Sequence, residues 1–264
     1  MLKGSNEVAN EDGERTSAQV WSLSAGLGLW RGLSVRLALP LLDLSATTDS
    51  GTTDAVALGD LSAQLGYRFT LGGDGRMFAF SLTSGAYLPT GGAGADAALP
   101  SNPNFASGTV NPMVGGHIGM QLAGGLGGQI LALARIVPQA SDEGYRAGNS
   151  VVFGGGAHYV ISENVVPSLD LIGLLRGADS TNDDDPHAGH SGAMTGAMDS
   201  NPEGSGGRWL FVVPGLSYRF TAGSIDGMTI GLRVQVPVYQ DLNGTQLAEG
   251  ISAGVSLRHA FSVF

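Results

Sequence analysis

The stretch MTIGLRVQVPVYQ, residues 228–240, alternates without a break. Met228, Ile230, Leu232, Val234, Val236 and Val238 fall on one side. Thr229, Gly231, Arg233, Gln235, Pro237 and Tyr239 fall on the other. A period of two is the mark of a β-strand with one apolar and one polar face. In a water-soluble sheet the apolar face points inward. In a membrane barrel it points out to lipid, and Arg233 and Gln235 line a lumen.

The same alternation recurs around residues 20–29, 33–41, 60–69, 78–88, 111–122, 129–137, 151–161, 168–176, 210–220 and 251–261. The connections between these segments also follow a pattern. Short ones (30–32, 71–76, 123–128, 162–164, 221–227) trade places with longer ones (43–58, 89–109, 138–149, 177–208, 241–247). Tight turns at one end and long loops at the other are the plan of an outer-membrane barrel. A soluble sandwich with Greek-key crossings mixes its loop lengths instead. Aromatic residues gather near apolar strand ends, at Trp21, Tyr67, Phe69, Tyr218, Phe220 and Phe261, as in the girdles of membrane barrels. The apolar faces are therefore expected to look at lipid.

Composition agrees. The chain has 264 residues, enough for one large all-β domain. Its 43 glycines argue against a helical protein and suit tight turns and a crowded interior. There is no cysteine, so neither a disulfide framework nor thiolate chemistry is available. A net charge of −10 argues against a nucleic-acid partner. No run of about 18 apolar residues could form a membrane helix, but barrel strands need only about 9–11 alternating residues each.

The expected fold is all-β: an antiparallel up-and-down transmembrane β-barrel spanning residues 16–264, in the outer membrane of a Gram-negative bacterium, with the lipid bilayer and the barrel-assembly machinery as partners. Eleven strands are visible in the pattern. Barrels of this kind have even strand numbers and place the C-terminus on the short-turn, periplasmic side. Counting back, residues 1–15 become an external loop, and a signal peptide and a first strand are expected upstream, giving about 12 strands in all.

From about residue 20 onward the chain carries, in order, GLGLWRGLSVRLALPLL, GDLSAQLGYRF, GTVNPMVGG, GRWLFVVPGLSYRF and VQVPVYQDLNGTQL. Together these resemble motifs of outer-membrane transporters of the MetA-pathway-of-phenol-degradation family, which are porin-like and FadL-like β-barrels. The closing strand resembles the barrel-assembly signal, with Val255, Leu257, His259 and Phe261 in register and His259 where an aromatic residue is usual. The resemblance implies a channel or transporter for small hydrophobic or aromatic molecules, a small-molecule solute being the ligand.

The polar faces supply the candidate lumen residues: Arg36, Asp60, Arg68, His117, Arg135, His158, Asp170, Arg176, Arg219 and Arg233. Pairing of the arginines with Asp60, Asp170 and nearby carbonyls is the first expectation for them, and selection of anions the second. Trp209 and Phe211 face inward near the external mouth, as an apolar opening for an aromatic solute or as a packed plug.

The segment 179–207 is unlike the rest and is expected as a long external loop. It carries Asp183, Asp184, Asp185, His187, His190, Met194 and Met198, all of metal-ligating types. Two readings stand: weak binding of Cu or Zn by Asp183, Asp185, His187, His190, Met194 and Met198, or a plain flexible acidic loop. The first would make the barrel an anchor for a metal-binding surface protein. A soluble β-sandwich binding module is a further alternative. An enzyme is not expected: His259 has no serine on its face, and His190 and Ser191 are neighbours in a loop rather than an oriented dyad. No residue is assigned a catalytic role.

Overall fold

The computed structural model describes residues 2–9, 15–48, 51–73, 76–91, 107–141, 144–181, 205–243 and 249–259. Fifteen strands follow in chain order: β1 (Leu2–Ala9), β2 (Arg15–Gly28), β3 (Leu33–Thr48), β4 (Gly51–Leu58), β5 (Leu61–Gly73), β6 (Arg76–Leu88), β7 (Asn111–Gln121), β8 (Leu126–Arg135), β9 (Tyr145–Arg146), β10 (Ser150–Tyr159), β11 (Val165–Arg176), β12 (Ser180–Thr181), β13 (Gly207–Arg219), β14 (Thr229–Leu242) and β15 (Ser252–Arg258). All their pairings are antiparallel. The ladder runs β1-β2-β3-β5-β6-β7-β8-β10-β11-β13-β14-β15, and β15 pairs back onto β1. The pairings thus form a ring of twelve staves in which every stave has two neighbours. A ring leaves no backbone edge facing lipid, which is the condition for crossing a membrane with strands.

Large apolar side chains cover the outside. Leu23 is 70% exposed, Leu82 62% and Leu169 57%. Exposure of leucines in regular alternation around a whole ring would be a severe aggregation liability in water and is what a lipid-facing wall requires. The wall is patched where glycine would leave a gap. The Phe153 ring lies over its cross-strand partner Gly173, where a methyl group would come 2.3 Å from Cζ. At the short-turn end Phe69 stacks on Phe80 with 5.0 Å between ring centres, and Tyr218 meets Phe220 edge-on at 5.0 Å. These pairs form part of an interfacial girdle.

The short turns use left-handed backbone. Arg31 (φ 46°) and Gly32 (φ 87°) close the β2–β3 hairpin through Leu33 N–H to Trp30 O at 2.9 Å. The β7–β8 turn is a 3-10 turn over Ala123–Gly125, with Gly124 and Gly125 at positive φ.

Three expectations are corrected. Residues 1–15 are not an external loop: Leu2–Ala9 is strand β1, and it supplies the twelfth stave that was expected upstream. The 43–58 connection is largely strand. Strand β3 runs on to Thr48 and returns as β4, so the β1–β4 corner projects beyond the ring as a small sheet. Finally, the register shifts by one residue opposite Leu210/Phe211, where Val238 bulges out of β14. The bulge turns Tyr239 to the outside, where it is 53% exposed, and so turns Leu242 inward. The preceding Pro237 has no N–H to give the ladder, which suits it to such a place.

Candidate functional site

The site is the inner face of the ring, and it has two unlike halves. Toward the periplasmic end, β7, β8, β10 and β11 carry a polar ladder. Asp170 lies opposite Gly156, which lies opposite Gln129. The Asp170 carboxylate reaches across the bare glycine and accepts a hydrogen bond from Gln129 Nε2 at 2.8 Å. A methyl group on Gly156 would sit 1.9 Å from Asp170 Oδ1, so the reach depends on glycine. The motif repeats one step lower. His158 passes over Gly127, where a methyl group would lie 2.2 Å from Nε2, to meet Gln121 Oε1 at 3.2 Å.

These contacts fix the histidine tautomers. Gln129 gives its amide N–H to Asp170, so its Oε1 must accept, and His117, 3.2 Å away, carries its proton on Nε2. Gln121 gives its N–H to the Leu126 carbonyl at 3.3 Å, so His158 is likewise protonated on Nε2. Beside this ladder lies a cavity of about 160 Å³ whose lining includes Arg68, Met77, His117, Gln121, Gln129 and His158.

Toward the external mouth the inner face of β13 turns apolar. Trp209, Phe211 and Val213 are buried and pack with Ile172 and Leu174 of β11 and Leu242 of β14. Two polar knots lie at the long-loop ends of the strands. In one, the Asp60 carboxylate accepts from the Ser107 hydroxyl (2.6 Å), the Ser107 amide (2.9 Å) and the Gly91 amide (3.2 Å). In the other, Asp179 accepts from Arg176 Nη2 at 2.7 and 2.8 Å, from the Tyr145 hydroxyl at 2.6 Å and from the Gly148 amide at 2.7 Å. Pairing of β9 with β12 ties the same two loops together. Burial alone would raise the Asp179 carboxyl, but its hydrogen bonds from Tyr145 and Gly148 and the Arg176 charge outweigh that and hold it below the usual range. Burial, and then the Asp179 carboxylate, push the Tyr145 phenol up, so it stays a donor.

The candidate lumen residues occupy inward positions, spread along the axis. His117, His158, Asp170 and Gln129 come together, with Arg68 on the cavity beside them. Arg135 lies over the Tyr87 ring at 5.6 Å. Trp209 and Phe211 are packed rather than open. The expected pairing of arginines with Asp60 and Asp170 is corrected, because both carboxylates are taken by hydroxyl, amide and glutamine donors. Among the described residues no ion pair reaches Arg36, Arg68, Arg135, Arg219 or Arg233. Arg135 Nε, Arg176 Nε and Trp209 Nε1 are buried with no hydrogen-bond partner among the described residues. Asp183, Asp184, Asp185, His187, His190, Met194 and Met198 lie outside the described residues.

The sequence reading missed the glutamines as ladder members and Tyr145 and Asp179 as a lock. The first had a signal in hindsight: Gly127, Gly156, Gln121 and Gln129 all sit on inward positions, and glycine beside a long polar residue invites a cross-strand reach.

The chain matches no family model and no curated protein. Solved structures do resemble it. An outer membrane channel of Pseudomonas putida F1 superposes with a TM-score of 0.65 at 12% identity, over 97% of this chain and 91% of that one. The NanC porin superposes with a TM-score of 0.46 at 10% identity, over 98% and 100% of the two chains. The beta domain of the Bordetella autotransporter BrkA gives 0.48 at 12% identity, over 98% and 97%. The first likeness covers nearly the whole of both chains and agrees with the ring of pairings: the fold is an antiparallel β-barrel of the outer-membrane type.

Proposed function

We propose that this chain is an outer-membrane channel for small organic solutes, passing them passively or by facilitated diffusion, with no catalytic residue of its own. The observation that carries the reading is the inversion of the wall: exposed leucines outside, and inside an unevenly filled lumen with a cavity and arginines that have no ion pair among the described residues. The apolar cluster of Trp209 and Phe211 supports solutes with a hydrophobic or aromatic body. The ordered motifs from about residue 20 onward support placement beside the MetA-pathway transporters. A chain of this fold reaches the outer membrane through the barrel-assembly machinery, and its alternating closing strand suits that route.

Planar-bilayer conductance of the refolded chain tests the reading. Stable current steps from a folded, heat-modifiable barrel are expected. Silence from the same preparation overturns the channel and leaves a closed barrel. The segment from Asp183 to Met198 supports a second reading through its ligand types alone, as a copper- or zinc-binding surface loop. Calorimetric titration of Cu(I), Cu(II) and Zn with and without that segment tests it, and unchanged heats end it.

A further inference from the structure

Around the periplasm-side cavity the polar groups are nearly all engaged with one another. His117 and His158 give their Nε2 protons to Gln129 and Gln121. Gln129 gives its amide to Asp170, and Gln121 gives its own to the Leu126 carbonyl. The inner carboxylate at this level, Asp170, is buried, is turned across Gly156, and does not line the cavity. Arg68 does line it and has no ion pair among the described residues. The lining is therefore cationic through one guanidinium, with no acid among its described residues.

From this geometry we propose that the cavity is a binding site for a small organic monoanion, a carboxylate on a short apolar or single-ring body. The inference rests on the channel reading and names the solute class of that lumen. Arg68 presents a planar fork that matches a carboxylate. Met77 and Ala79, on the inward positions opposite Gln121 and Gly119, give the body an apolar wall. A volume of about 160 Å³ is close to that of a cavity known to admit benzene, about 150 Å³. One cation without a second beside it suits a monoanion rather than a doubly charged phosphate. The wider lumen favours the same sign: Arg36, Arg68, Arg135, Arg219 and Arg233 occupy inward strand positions with no ion pair among the described residues, against Asp60 and Asp170, while Arg176 is matched by Asp179. Positive side chains along a pore select anions, even in a chain whose net charge is −10.

The test is calorimetric titration of the detergent-folded barrel with benzoate and with its neutral counterpart benzamide, alongside conductance of the same preparation. Benzoate is expected to bind at least about tenfold more tightly than benzamide, the size of one charge-assisted contact. Arg68→Gln is expected to bring benzoate down to the level of benzamide and leave benzamide unchanged. Arg208→Gln, on the outer face near the external rim, is expected to leave both unchanged. Equal affinities, an absence of heat with benzoate, an unaltered Arg68→Gln variant, or an equal loss in Arg208→Gln overturns the site. The two readings fail separately: current without benzoate binding sinks the site and keeps the channel, whereas benzoate binding without current sinks the channel and keeps the site.

Discussion

The two halves of the lumen are built by opposite means from the same alternating strands. Near the external mouth, β13 places Trp209, Phe211 and Val213 on the inner positions, and the interior closes by packing. Near the periplasmic end, β7, β8 and β10 place Gly119, Gly127 and Gly156 on inner positions, and the interior is spanned by side chains reaching over them. Packing fills space and holds by area. Reaching leaves space and holds by hydrogen bonds. The first half suits a constriction, the second a compartment.

The largest effect is expected in the packed half. Phe211→Ala removes a buried ring and should cost about 3–5 kcal/mol in a denaturant titration of the folded barrel. It should also raise single-channel conductance, because the cluster narrows the lumen. A stability loss without any change in current would show that the apolar cluster is not the constriction.

Next comes the lock above it. Asp179→Asn leaves Arg176 without its carboxylate at a site where Asp179 is 5% exposed, and should cost about 3 kcal/mol. Acid should do the same. The Asp179 carboxyl is held below its ordinary value, so its stabilisation is present above about pH 3.9 and is lost as the pH falls through the folded value. Proteolysis of the 138–149 loop, followed from pH 6 to pH 2, should accelerate only below that ordinary value. In the Asn variant the rate should start high and stay level over the same range. At the other extreme the raised Tyr145 phenol stabilises the lock fully below about pH 10, and that contribution is lost as the pH rises through the higher folded value.

A smaller effect is expected in the reaching half. Gly156→Ala puts a methyl group where the Asp170 carboxylate lies and should cost about 1–3 kcal/mol. Adding Asp170→Ala should recover part of that loss, the rest staying because the same methyl group comes 2.7 Å from the Leu169 carbonyl oxygen. If the double variant is no better than the single one, the glycine is needed for strand approach and not for the reach. The smallest effect is expected from Arg219→Gln, exposed near the periplasmic end: no measurable stability change, and a modest drop in anion preference read from the reversal potential in a salt gradient.

Period two made most of the wall legible from the sequence, because every stave that crosses the membrane must alternate. It failed where another force sets the structure. Strand β1, LKGSNEVA, has no apolar face to read, and its conformation comes from the edges of β2 and β15 that it pairs with. Strand β4, GTTDAVAL, is held the same way by β3. At Val238 the alternation of residue types continues while the backbone bulges, so Tyr239 ends on the face opposite to the one its position suggests. In the site, residue types placed the arginines and histidines on inward positions. Their partners depend on register, on which glycine lies opposite which glutamine, and one strand at a time does not carry that information.

The ring closes between the first of its staves and the last. Among the described residues β1 and β15 share four pairs, Leu2–Ser5 against Ala253–Ser256, whereas β2 and β3 share fourteen. The ladder that joins the most distant parts of the sequence is thus among the shortest in the wall. Such a seam forms only after every stave between β1 and β15 is in hand, and closing so long a loop makes it a slow step. By the same count it is where the wall has least to break, so a lateral opening toward lipid would begin between the first strand and the last.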